Sequence, residues 1–161
     1  MMTDATADTA HNSAPLHRLR RRREFLAAAK NGVRDSGRLF TLQMVGQNRM
    51  VNAGAPAPEP IDAPPRFGLT VTKKVAGAVG RNRIRRRLRE ALRAGGAATG
   101  VAGLGAHAGQ DYVIIARREL LNASFADILS QMAAGFARLQ DRKATRVRRN
   151  QTERTGVPRD E

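Results

Sequence analysis

Between positions 80 and 93 the chain runs Gly-Arg-Asn-Arg-Ile-Arg-Arg-Arg-Leu-Arg-Glu-Ala-Leu-Arg, and this stretch limits the possible folds more than any other. Ile84, Leu88 and Leu92 recur every four residues and Ala91 joins them, the spacing of one buried helix face. Seven arginines and Asn82 take up most of the remaining positions. At about 100° per residue, Asn82, Arg85, Arg86, Arg89 and Arg93 fall opposite or beside the stripe. Arg83 and Arg87 lie on its other flank, and Arg81 lies nearer the stripe, projecting past the helix start. Such a helix must dock along one narrow face and carry dense positive charge outward. Glu90 alone offsets little of the mutual repulsion, so a polyanion is the natural partner. The planar guanidinium fork grips phosphate oxygens in pairs or lies flat on a base, which suits folded RNA. A solvated basic face is the bland reading of any charge run, and the density here argues against it.

At 161 residues the chain has room for one domain with tails. Its formal charge of +15 comes from 25 arginines and only 4 lysines against 14 acids, again the balance of a nucleic-acid binder. A DNA-reading helix would offer mixed side chains to base edges, whereas this exposed face is nearly all arginine, so no DNA partner is expected. No membrane partner is expected either, because the longest strongly apolar run, 112–116, is far too short to span a bilayer. Without cysteine, signal-peptide core or spanning segment, the expected compartment is the cytoplasm. His11, His17 and His107 lack metal-ligand spacing, and Glu24, Asp35, Glu90, Asp111, Glu119 and Asp127 are scattered singly. The expectation is therefore no metal site and no catalytic residue on this chain.

The expected organisation is a disordered extension at 1–15, an RNA-binding domain at 16–140 with flexible insertions at 47–65 and 94–110, and a basic disordered tail at 141–161. A first helix occupies the second half of 18–30 and stops at Asn31-Gly32. In 38–45, Phe40, Leu42 and Met44 alternate with Thr41 and Gln43, the pattern of a strand buried on one face. Phe67, Leu69 and Val71 alternate with Gly68, Thr70 and Thr72 in a second strand closed by Lys73-Lys74. Tyr112-Val113-Ile114-Ile115-Ala116 is a central strand ended by Arg117-Arg118. Ser124 and Asp127 form a capping-box arrangement ahead of a last helix with Phe125, Ile128, Leu129, Met132, Phe136 and Leu139 on one face.

Three segments in this order, Phe67-Gly68-Leu69-Thr70-Val71-Thr72-Lys73-Lys74-Val75, Ala78-Val79-Gly80-Arg81-Asn82-Arg83-Ile84-Arg85-Arg86 and Asp111-Tyr112-Val113-Ile114-Ile115-Ala116-Arg117, carry a family signature. The chain resembles the bacterial ribonuclease P protein subunit from about residue 19 to residue 139. The resemblance implies a single-domain α+β sandwich with a small mixed sheet, about three helices and a ribosomal-protein-like fold. It also implies a left-handed crossover through the arginine helix, against the usual right-handed rule.

The family binds the catalytic RNA of ribonuclease P and the 5′ leader of precursor tRNA, one protein per RNA, while the RNA with Mg²⁺ does the chemistry. The chain would then be a subunit of an endoribonuclease, with no cofactor of its own. Carried onto this sequence, Arg81, Asn82, Arg83, Arg85, Arg86, Arg89 and Lys74 would face the catalytic RNA. Phe25, Gln43, Thr70, Thr72, Lys73 and Arg117 would border a leader cleft between the first helix and the sheet, where bases stack and cations track the backbone. Ala29 and Gln43 stand where many relatives carry aromatics. Since base stacking is worth about 1–3 kcal/mol, a weaker or different leader preference is expected, with Gln43 reading a base edge. The alternative is a structural ribosomal-RNA-binding protein, which would share charge, size and tails.

Overall fold

The computed structural model describes residues 16–47, 63–95 and 106–154. In chain order the elements are β1 (His17–Arg18), α1 (Arg22–Asn31), β2 (Val33–Ser36), β3 (Phe40–Gly46), β4 (Arg66–Thr70), α2 (Ala78–Ala94), β5 (Gln110–Ala116) and α3 (Phe125–Arg154), with a 3-10 turn at Arg118–Leu121. The strands form one mixed sheet in the order β1-β4-β5-β3-β2. β1 and β5 flank β4 in parallel, and β3 is antiparallel to both β5 and β2. Because β4 and β5 are parallel neighbours, α2 is the crossover between them. The alternation read in the sequence sets the register, pairing Phe67 with Tyr112 and Met44 with Tyr112 across the centre.

Side-chain alternation sorts the sheet into two faces. Phe40, Leu42, Met44, Phe67, Tyr112 and Ile114 point to the larger core, where they meet Ile84, Leu88, Ala91 and Leu92 of α2 and Ile128, Met132, Phe136 and Leu139 of α3. At its centre Tyr112 lies 5.5 Å from Phe67 in a stack and 4.9 Å from Phe136. Burial pushes the Tyr112 hydroxyl up to about 12. That hydroxyl accepts bonds from the His107 amide at 3.0 Å and the Gln140 side chain at 3.1 Å, so the buried oxygen is satisfied. The opposite face packs Val45 and Val113 under Leu19 and Ala28, with Phe25 and Ile115 at the margin. Thus α1 covers one face of the sheet, and α2 and α3 the other.

Local chemistry explains the helix limits. Asn31-Gly32 stops α1 as expected, with the Gly32 amide bonded to Ala28 O at 3.0 Å. A Cβ at Gly32 would lie 2.2 Å from that same carbonyl, so only glycine fits the reversal. Ser124 Oγ accepts the Asp127 amide at 3.1 Å, the first half of the capping box. Of the apolar face read for α3, Ile128, Met132, Phe136 and Leu139 are fully buried, while Phe125 is exposed. The second strand is shorter than its alternation suggests: β4 ends at Thr70, and Thr72 accepts the Val75 amide in a turn. β1 and β2 were not foreseen; each is a short edge strand without an apolar period.

The basic tail expected at 141–161 is corrected over 141–154, where α3 continues to Arg154. The cause lies in tertiary contacts. Asp35 on β2 is 3% exposed and holds Arg138 at 3.0 Å and Arg142 at 3.3 Å. Arg142 also donates to Arg34 O at 2.5 Å and Arg146 to Asn31 O at 3.0 Å. Residues 141–154 contain neither glycine nor proline, so nothing intrinsic breaks the helix once it is anchored. The expectations for 1–15, 48–62, 96–105 and 155–161 lie outside the described residues. The stems of the two insertions are tied together: Gln47 N donates to Gly109 O at 2.9 Å, and Gly109 N to Ala63 O at 2.7 Å.

Asp35→Asn keeps the side-chain shape and removes the charge that both arginines share. It should loosen the C-terminal arm by about 1 kcal/mol, read as faster amide hydrogen exchange in 141–154 with little change in β3 and β5. Unchanged exchange in the arm would show that Asp35 does not anchor it.

Candidate nucleic-acid interface

The apolar stripe of α2 is completely buried and turns the arginines outward. Asn82, Arg83 and Arg86 are exposed, while Arg81, Arg85 and Arg89 are half-buried along the flanks. Arg81 reaches back to Ala76 O at 3.2 Å, and Arg85 donates to Asn82 Oδ1 at 3.4 Å. Among the described residues no carboxylate bonds any of these arginines. α2 begins at Ala78, with no acid in its first turn and no side chain capping Gly77, so the positive end of its dipole reinforces the cations nearby. Lys73 and Lys74 are exposed in the turn that leads into it. Arg87 is set apart: it donates to Leu120 O at 2.9 Å and to Ala123 O, binding the 3-10 turn to the helix. Its guanidinium serves the fold.

The leader residues read from the sequence divide between the α1-covered face and its open end. Phe25 is half-buried and its ring rests on Gly68, where a Cβ would come within 2.5 Å of the ring. The glycine in β4 therefore makes room for the aromatic. Thr70 and Ile115 are register partners and half-buried. Arg117 is exposed and donates to Thr41 Oγ1 at 3.3 Å, which brings the end of β5 to β3. Thr72 and Lys73 are exposed just beyond β4. Gln43 is different. It shares the face of Val45, pairs with Val113 and is only 3% exposed, so it sits in the floor and offers no open edge. Thr41 was not singled out by sequence reading. Its place two residues before Gln43 is the signal that could have found it, although β3 is buried on both faces and not only on the one that its alternation suggests, because α1 covers the Thr41 and Gln43 side.

A second unforeseen group fixes α1 on the sheet. Glu24 accepts the Arg20 and Arg21 amides at 2.8 and 2.9 Å and the Arg66 guanidinium at 3.0 Å. Arg66 also forks onto Asp111, with Nε at 2.8 Å and Nη2 at 2.7 Å. Acids that look single in the sequence are thus joined through one arginine of β4. Burial pushes the Glu24 carboxyl up, but the two amides and Arg66 outweigh it and leave it below its ordinary value. For Asp111, completely buried, desolvation wins and the carboxyl is raised despite the fork. Among the described residues no three His, Asp or Glu side chains group to hold a metal ion, and no helix is long and apolar enough to cross a membrane.

The family model described as Ribonuclease P matches residues 14–140. The Ribonuclease P protein component of Brucella suis is 36% identical over 145 residues, covering 86% of this chain and 91% of that protein. That of Bartonella quintana is 40% identical over 116 residues, covering 72% and 77%. Among solved structures, the RNase P protein from Thermotoga maritima aligns with a TM-score of 0.55 at 25% identity, covering 75% of this chain and 96% of that one. The Staphylococcus aureus RNase P protein aligns with a TM-score of 0.54 at 21% identity, over 79% and 94%, and shares the fold.

The Glu24 contacts set a pH dependence whose sign follows from the lowered carboxyl. Its stabilisation is present above the unfolded value of 4.5 and is lost as pH falls through the lower folded value. Glu24→Gln should therefore cost about 1–2 kcal/mol in urea melts near neutral pH, with the gap to the parent closing as pH falls below 4.5. A gap that stays constant with pH would show that the charge of Glu24 does not hold α1.

Proposed function

The chain belongs to the ribonuclease P protein family, and from that membership we propose that it works through two RNA surfaces on opposite sides of one sheet. As a ribonuclease P protein it is a subunit of an endoribonuclease and a partner of the ribonuclease P RNA. The observation that carries the finer reading is the face of α2, where Arg81, Arg83, Arg85, Arg86 and Arg89 have no carboxylate partner among the described residues. This face, with Asn82 and Lys74, docks the catalytic RNA, its guanidiniums replacing counterions on the phosphates. The open end of the α1-covered face takes the 5′ leader of precursor tRNA. There half-buried Phe25 offers its ring, Thr70 and Thr72 offer hydroxyls, Lys73 and Arg117 track the backbone, and buried Gln43 belongs to the supporting floor.

The division of labour follows. The RNA, with Mg²⁺, carries out hydrolysis of the leader junction. The protein, one copy per RNA in the cytoplasm, supplies substrate affinity and lowers the metal concentration needed to neutralise charge. A structural ribosomal-RNA-binding role is not favoured, because the family model spans nearly all of the described domain.

Reconstitution with the cognate catalytic RNA at low Mg²⁺ tests this directly: adding the protein should restore precursor-tRNA cleavage, and no stimulation would refute it. In the same system Arg83→Ala should weaken assembly and lower the salt slope of RNA binding by about one. Phe25→Ala should weaken precursor binding by about 1–3 kcal/mol and leave mature tRNA binding unchanged. Equal loss on precursor and mature tRNA would remove Phe25 from the leader path.

A further inference from the structure

At the β1–β4 edge, where the two surfaces meet, the structure contains a cavity of about 170 Å³. Its apolar wall comes from Leu16, Leu19, Phe67, Leu69 and Leu92, with Phe25 at one side. Its polar rim is Arg18 from β1 and Arg85 and Arg89 from successive turns of α2. An enclosed apolar cavity of about 150 Å³ takes one benzene ring, so this pocket, open on one side and lined by both polar and apolar groups, has room for a single planar ring.

The rim is built for an anion. Among the described residues no carboxylate bonds Arg18, Arg85 or Arg89. Burial lowers the Arg89 guanidinium, and the charges of Arg18, Arg85 and Arg93 lower it further. Three cations crowded over apolar carbon are costly when the site is empty, and they repel each other less once a phosphate lies between them. A ligand that is planar and apolar on one side and anionic on the other matches both parts, and a nucleotide is such a ligand.

We propose that this cavity seats one unstacked nucleotide of the catalytic RNA, its base against the half-buried Leu16 and Leu69 and its phosphates on Arg18, Arg85 and Arg89. The inference rests on the assembly role given to α2 and adds a defined seat to it. The catalytic RNA is the favoured source because two of the three rim arginines belong to the helix that docks it. A bulged or loop nucleotide has already left its stack, so entering the cavity costs it little. Arg18 then has a purpose that its place on a two-residue edge strand does not otherwise explain.

The test measures catalytic-RNA affinity against salt for Arg18→Ala and for two cavity-filling variants, Leu69→Phe and Leu16→Trp, each with its thermal midpoint. Leu16 is half-buried at the edge, so Leu16→Trp keeps the test decisive if Leu69→Phe folds poorly. Arg18→Ala should weaken binding and reduce the salt slope by about one. A filled cavity should weaken binding about tenfold with the slope unchanged, because a base seat is lost and no phosphate contact. If Arg83→Ala weakens binding while filling the cavity does not, the nucleotide seat is wrong and the assembly role stands. If Arg83→Ala also has no effect, the assembly role itself fails. A loss confined to precursor tRNA binding by the assembled holoenzyme would place the leader in the cavity and overturn the assignment to the catalytic RNA.

Discussion

The rest of the structure depends on the burial of Ile84, Leu88, Ala91 and Leu92 against the sheet. Each large aliphatic side chain gains about 1.5–3 kcal/mol on burial. Like charges one turn apart on a helix lose about 0.2–0.5 kcal/mol per pair. The three large residues of the stripe, all fully buried, therefore outweigh the arginine repulsion, and the basic helix is held in place before any RNA arrives. If RNA docks on this face as proposed, it relieves a strain that the core already tolerates. Pre-organisation of this kind lowers the entropy that binding must overcome.

The sheet has a second consequence. Strand alternation sends Tyr112 and Ile114 towards α2 and α3, and Val113 and Ile115 towards α1. The two RNA surfaces proposed above therefore lie on opposite sides of one small domain. The Glu24–Arg66–Asp111 group matters because it fixes where α1 lies, and through α1 where Phe25 meets Gly68. The two faces come together at the β1–β4 edge, where Arg85 and Arg89 stand across from Phe25.

Much of this was legible in the sequence because it depends on period. The α2 stripe, the alternation of β3 and the apolar run of β5 each specify an element and its buried side, and the order of the motifs identifies the family. What could not be read depends on contacts between distant residues. Nothing near Arg66 announces that it will join Glu24 to Asp111, and nothing near Arg87 marks it as a ligand of backbone carbonyls at 120–123. The helical arm after Asp141 was missed for the same reason: its charge pattern reads as a tail until Asp35, more than a hundred residues earlier, supplies the anchor. Gln43 shows the limit of matching positions to a family, because residue identity and strand parity were clear but its depth was not.

The central claim, two RNA surfaces separated by a sheet, is tested most directly by arginine-selective chemical footprinting read by mass spectrometry. The protein would be compared alone, with catalytic RNA, and with catalytic RNA plus precursor tRNA. Arg83 and Arg86 should become protected on adding the catalytic RNA, while Arg117 stays reactive until the precursor is added. Protection of Arg117 by the catalytic RNA alone, or continued reactivity of Arg83 and Arg86 in its presence, would contradict the account.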